Sequence, residues 1–168
     1  MTEETIGKTE AAKQTRQMGR MMAGLYYHLS REMIAAMGTE KAKEIINKAI
    51  QSYGTERGIE QRERVSQAGF EHTPHTPENY GSVPDLPVLG WDVEKVKNGE
   101  NATHIQITYC PFAEYWQEKD FAEIGRLYCM IDQAKFTAFH PDSNLLHLKN
   151  VLDGDAFCEM VCRRKPKE

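Results

Sequence analysis

Residues 91–116 read WDVEKVKNGENATHIQITYCPFAEYW, and the change of period inside this stretch decides the fold. From Trp91 the residues alternate as in strands, and WDVEKVK and ATHIQITYC flank Asn98-Gly99, a two-residue hairpin signal. In the second strand Thr103, Ile105, Ile107 and Tyr109 point one way, and His104, Gln106, Thr108 and Cys110 the other. Pro111 then ends the alternation. A proline lacks the amide hydrogen that a first helical residue leaves unused, so it suits the start of a helix. Cys110 therefore stands between a strand end and a helix start.

Working towards the C-terminus, a helical region in one or two pieces is expected from Phe112 to about Phe136. Ala122, Gly125, Cys129 and Asp132 or Gln133 share one face, with Phe121, Ile124, Tyr128 and Ile131 on a bulkier one. His140-Pro141-Asp142-Ser143 is a turn, and NLLHLKNVL and DAFCEMVC form a second hairpin through Asp153-Gly154. Towards the N-terminus, residues 1–10 read as a frayed tail before a helix from about Glu10 to Met37. Met18, Met22, Leu25, Leu29 and Met33 recur at spacings of three and four and read as its packing stripe, with Gly38 as the stop. Thr39 is the expected N-cap of a second helix, whose Ile46, Ile50, Tyr53 stripe continues into Arg57, Glu60 and Arg64 unless Gly54 and Gly58 break it. Residues 71–90 hold four of the seven prolines and read as a long loop within a single domain spanning 11–168. The expected class is α+β: two helices, then two antiparallel hairpins forming one sheet with the intervening helix packed on it.

The composition narrows the partners. A net charge of −4, without a basic patch interleaved with aromatics, argues against nucleic acid. No apolar run approaches the ~20 residues that span a bilayer, and MTEETIGKTEAAKQTR is not a signal peptide, so a cytoplasmic location with four reduced cysteines is expected. The partner class left is a small molecule, with self-association left open.

Cys110 carries the chemistry. At a helix N-terminus its sulfur would meet unpaired N–H groups and the helix dipole, which lower a thiol's pKa; a small buried hydrophobe is the alternative. Glu114, one turn in, could exchange a proton with it. Cys129 is read as packing against the sheet. Cys158 and Cys162 lie roughly 13 Å apart along one strand face, too far to ligate one ion together. Arg57 or Arg64 could hold a carboxylate in fork geometry. His72 and His75 lack a third ligand at metal spacing, and no metal site is assigned. Asp155 is read as a turn residue.

Several segments together resemble one family. TYCPFAEYW, LYCMID, PDSNLLHLKN and GDAFCEM, with YGTERG upstream, are similar to segments of the L-2-amino-thiazoline-4-carboxylate hydrolases over roughly residues 20–163. The resemblance implies ring-opening hydrolysis of a small cyclic amidine-like acid. It marks Cys110, Glu114, Asp155, Cys158 and Glu159 as candidate catalytic residues, and Arg57, Tyr109, Trp116, Cys129 and Asp132 as candidate substrate-binding ones. No cofactor is required, and a thiolate-bound metal stays open. The element order also resembles the ligand-binding fold of 4-vinyl-reductase-like and TRAPP-type domains. Two further functions therefore stand beside the hydrolase: a non-catalytic small-ligand, haem or metal sensor, and a thiol redox protein in which Cys129 or Cys158 resolves an oxidised Cys110.

Overall fold

A computed structural model describes residues 6–71, 83, 85, 88–99 and 102–164. Two long helices, α1 (Lys8–Met37) and α2 (Thr39–Gln67), precede strands β1 (Asp92–Gly99) and β2 (Ala102–Tyr109). Helices α3 (Pro111–Glu118), α4 (Ala122–Tyr128) and α5 (Met130–Phe139) follow, then strands β3 (Ser143–Lys149) and β4 (Cys158–Arg164). The strands form one antiparallel sheet in the order β1-β2-β4-β3, so the two hairpins join through their second strands. This is the expected α+β class and sheet.

One face of the sheet carries Thr103, Ile105 and Ile107 opposite Cys162, Met160 and Cys158, with Leu145 opposite Cys162 on the other flank. Val65 of α2 and Phe136 and Phe139 of α5 pack onto that face. A second cluster joins Ala42, Ile46 and Ile50 of α2 to Ile124 and Ile131. A third surrounds Trp116, with Ala23, Ala113 and Leu152.

Several local expectations are corrected. Helix α2 does run unbroken through Gly54 and Gly58, and these are its closest approach to α5. A Cβ on Gly54 would lie 2.7 Å from the Ile131 carbonyl oxygen, and one on Gly58 would overlap the Lys135 carbonyl. The buried line of α2 therefore runs Ile46, Ile50, Gly54, Gly58, Gln61, Val65, and Tyr53, Glu60 and Arg64 fall outside it. On α1 the buried residues are Gly19, Ala23, Gly24 and Ser30, while Met18, Met22, Leu25 and Leu29 are exposed. Small residues win that face because α3 comes so near: a Cβ on Gly19 would lie 2.8 Å from Pro111. Helix α1 begins at Lys8, and Gly38, at φ 83°, both stops α1 and precedes α2, leaving Thr39 inside the second helix.

The turns also shift. Asn98 and Gly99 pair with Thr103 and Ala102, so they end β1 and the hairpin connection lies beyond them. β3 ends at Lys149, and Val151–Asp153 form a 3₁₀ turn closed by Gly154 at φ 97°. The helical region is three pieces, interrupted near Asp120 and Cys129. Most of the proline-rich segment, with His72 and His75, lies outside the described residues. Within it Val83 packs on the sheet-side core and accepts from the Gln61 side chain.

Candidate functional site

Where β2 ends, the chain turns into α3 with Cys110 in extended conformation (φ −133°, ψ 117°) as its N-cap and Pro111 in the first turn. The Cys110 carbonyl accepts from Glu114 N–H at 3.0 Å, which fixes the turn. Beside it runs the connection from β3 to β4. There buried Asn150 receives Leu152 N–H on its side chain at 2.9 Å, while its own N–H donates to Asp155 at 2.8 Å. These two bonds fold the 3₁₀ turn against α3.

A cleft of about 280 Å³ opens between the two segments, lined by Ile107, Thr108, Tyr109, Cys110, Ala113, Glu114, Gln117, Val151, Asp155, Ala156 and Cys158. Its size suits a small molecule rather than a drug-sized one. A larger groove of about 570 Å³ runs along α1 past Lys13, Arg16, Arg20 and Tyr115. That groove holds no thiol, and Arg16 and Arg20 are engaged by carboxylates. The smaller cleft is therefore the candidate site.

Glu114 Oε2 sits on the rim, accepting from Arg20 at 2.6 Å and from the Tyr109 hydroxyl at 2.9 Å. Arg20 also grips Glu118 at 2.5 Å. Asp155 is exposed, and its second carboxylate oxygen has no hydrogen-bond partner among the described residues. Of the two cleft carboxylates, Asp155 is the one open to exchange a proton. Gln117 ties α3 to the turn by donating to the Val151 carbonyl at 3.1 Å, and Val151 N–H points at Cys158 Sγ at 3.5 Å.

The electrostatics of Cys110 differ from the sequence expectation. Burial pushes its thiol above the ordinary range; the backbone N–H groups of Phe112 and Ala113 and the Trp91 indole oppose this, and Cys158 adds to it. The helix N-terminus is present, but it loses to desolvation, so the resting sulfur is a thiol. Cys158 is likewise raised by burial, and Cys129 is pushed up to about 12 by burial, with the Asn150 amide 3.6 Å from its sulfur. Cys110 and Cys129 pack in one cluster around Trp116, and all four cysteines are free thiols.

Of the ten residues marked from sequence, Cys110, Glu114, Asp155, Cys158 and Tyr109 meet in the cleft. The other five do not line it. Arg57 pairs with Asp85 at 2.5 Å, both largely buried, so it is no clamp for a ligand here. Glu159 projects from the opposite sheet face towards His104 (3.5 Å) and Lys149 (3.7 Å), as alternation from Cys158 requires. Asp132 is held by Lys135 at 3.1 Å. Cys129 lies behind the cleft wall. Trp116 is fully buried: its indole donates to the Ala23 carbonyl at 3.1 Å, and its ring packs near Tyr26, Phe112 and Tyr128. It anchors α3, and through α3 it positions Cys110. Sequence reading missed Gln117 and Trp91. Gln117 was findable, because Cys110, Ala113, Glu114 and Gln117 follow the i, i+3, i+4, i+7 spacing of one helix face; nothing in the sequence ties Trp91 to a cysteine nineteen residues on. Among the described residues no group of three or more His, Cys, Asp or Glu is placed to hold a metal ion, and no helix is long and apolar enough to cross a membrane.

The profile of the L-2-amino-thiazoline-4-carboxylic acid hydrolase family matches residues 18–161, and the chain belongs to that family. No curated protein matches it in sequence. Solved structures that share its fold include the following two. The phenol-responsive sensory domain of the transcription activator PoxR, bound to phenol, superposes at TM-score 0.57 with 14% identity, over 84% of this chain and 73% of that one. A trafficking protein particle complex subunit 3 from Naegleria fowleri, covalently bound to palmitic acid, superposes at TM-score 0.55 with 16% identity, over 89% of this chain and 98% of that one.

Proposed function

From membership of this family we propose that the chain hydrolyses a carbon–nitrogen bond in a small cyclic amidine-like carboxylic acid, using the Cys110 cleft. The observation that carries this reading is the meeting, in one small cleft, of a cysteine thiol at a helix N-terminus with the Asp155 carboxylate, one oxygen of which accepts from Asn150 N–H while the other has no hydrogen-bond partner among the described residues. The Cys110 thiol is protonated at rest, so attack requires a base, and Asp155 is the available one. Sulfur bonds to the electrophilic carbon as its proton passes through Asp155 to the ring nitrogen, and the carbon–nitrogen π bond opens. The carbon–nitrogen single bond then breaks as the amidine's other nitrogen forms a double bond to the carbon and gives up a proton, which Asp155 passes to the leaving ring nitrogen. Water adds to the carbon and expels the Cys110 thiol, leaving the ring-opened carbamoyl product. Cys158 shapes the cleft floor, and Tyr109 and Arg20 hold Glu114 on the rim.

The test is turnover of L-2-amino-thiazoline-4-carboxylate, followed by chromatography with mass detection. Cys110→Ala is expected to lower kcat by about 100-fold or more, in the range of lost nucleophilic and acid–base catalysis, with a smaller effect on KM. Full activity in Cys110→Ala would sink the nucleophile assignment. A second reading, a ligand-binding domain without turnover, draws support from the elevated thiol pKa. Tight binding by the native chain with no product formed would favour it.

A further inference from the structure

Helix α1 leaves Met18, Met21, Met22, Leu25 and Leu29 between 44% and 64% exposed. At 3.6 residues per turn these side chains form one outward stripe, roughly 130° around the helix from the buried Gly19, Ala23, Ser30 line. The spacing 11, 15, 18, 22, 25, 29, 32, 36 alternates fours and threes, as in the seam of a coiled coil. Read antiparallel about the midpoint of Met22 and Leu25, the central seam matches itself: Met22 faces Leu25 and Met18 faces Leu29. The contact ends there, because Thr15 packs on Gly90 of its own chain and Glu32 is charged.

We infer that this stripe is an interface with a second copy of the chain, with the two α1 helices packed antiparallel about a twofold axis. A twofold interface needs one patch complementary to itself, which the matching of the seam supplies. The three arginines of α1 are engaged within their own chain. Arg16 pairs with Asp92, Arg20 with Glu114 and Glu118, and Arg31 lies over the Tyr27 ring. The area suffices. Five such side chains expose on the order of 500 Å², at the upper end of patches on monomeric proteins. Two copies would bury on the order of 1,000 Å² in these side chains alone, where specific interfaces begin.

Sedimentation equilibrium on the full chain tests this. The native protein is expected at twice the 19.2 kDa chain mass. Leu25→Glu, which puts a carboxylate against the partner's Met22, is expected to weaken the dimer by about 100-fold. Its circular dichroism should not change, because Leu25 is exposed within its own chain. Mixing Met22→Cys with Leu25→Cys under mild oxidation should give the mixed disulfide in preference to either self-pair. A native chain that sediments at the monomer mass overturns the inference, and so does one that stays monomeric and floats with phospholipid vesicles. A dimer insensitive to Leu25→Glu overturns it too.

Discussion

At the scale of single residues, burial decides what the ionisable groups do. Cys110 has the strand-end, pre-proline position read from sequence, yet desolvation outweighs the helix N-terminus and the thiol stays protonated. The position was legible because proline and alternation are local signals; the burial was not, because the residues enclosing it come from distant parts of the chain. His147 obeys the same physics. Its Nε2 meets the Cys129 carbonyl at 3.1 Å, its Nδ1 has no partner among the described residues, and burial lowers its pKa. The unfolded chain therefore binds a proton at His147 that the folded chain refuses, in the window from about 6.5 downwards to the depressed folded value. Stability should rise with pH across that window and fall on acidification. Thermal unfolding between pH 7.5 and 5 is expected to show this decline, and His147→Gln should flatten it; an unchanged slope would dismiss His147 as its source.

At the scale of elements, packing followed backbone proximity rather than the size of apolar side chains. Sequence periodicity assigned the α1 stripe of Met and Leu to the core, and the structure gives that place to Gly19, Ala23, Gly24 and Ser30. A period of 3.6 finds a face, but it does not say which face receives the neighbour. The glycines of α2 show the same rule. In an exposed helix Gly→Ala would add about 1 kcal/mol of stability. At Gly58 a Cβ would meet the α5 backbone, which cannot swing aside as a side chain can. Gly58→Ala is therefore expected to destabilise by about 1–3 kcal/mol, as overpacking does. At this chain length that lowers Tm by about 2–4 °C per kcal/mol. Scanning calorimetry would show it, and a raised Tm would refute the close approach.

At the scale of the whole molecule, α2, α5 and the segment after α2 are joined by buried charge. Asp85 meets Arg57 at 2.5 Å and Lys135 at 3.4 Å, and Lys135 also meets Asp132. The three side chains at Asp85 are 8–13% exposed, so water cannot replace a lost partner. Removing one member leaves two cations with less compensation than their burial demands. Asp85→Asn is expected to destabilise the fold by about 2–4 kcal/mol in urea titration, by the same reasoning. A loss below a few tenths would mean the cluster is solvated in solution.

The sequence by itself determined the α+β class, the two hairpins in one antiparallel sheet, the helix start at Pro111 and the family, because each is written in local periodicity, turn chemistry or a contiguous motif. Only the tertiary structure decided which marked residues share a cleft. Cys110, Glu114, Asp155, Cys158 and Tyr109 meet there, while Arg57, Glu159, Asp132, Cys129 and Trp116 are spent on ion pairs and packing. The reason is that a side chain's partners are set by the register and close approach of distant segments, which no local pattern encodes.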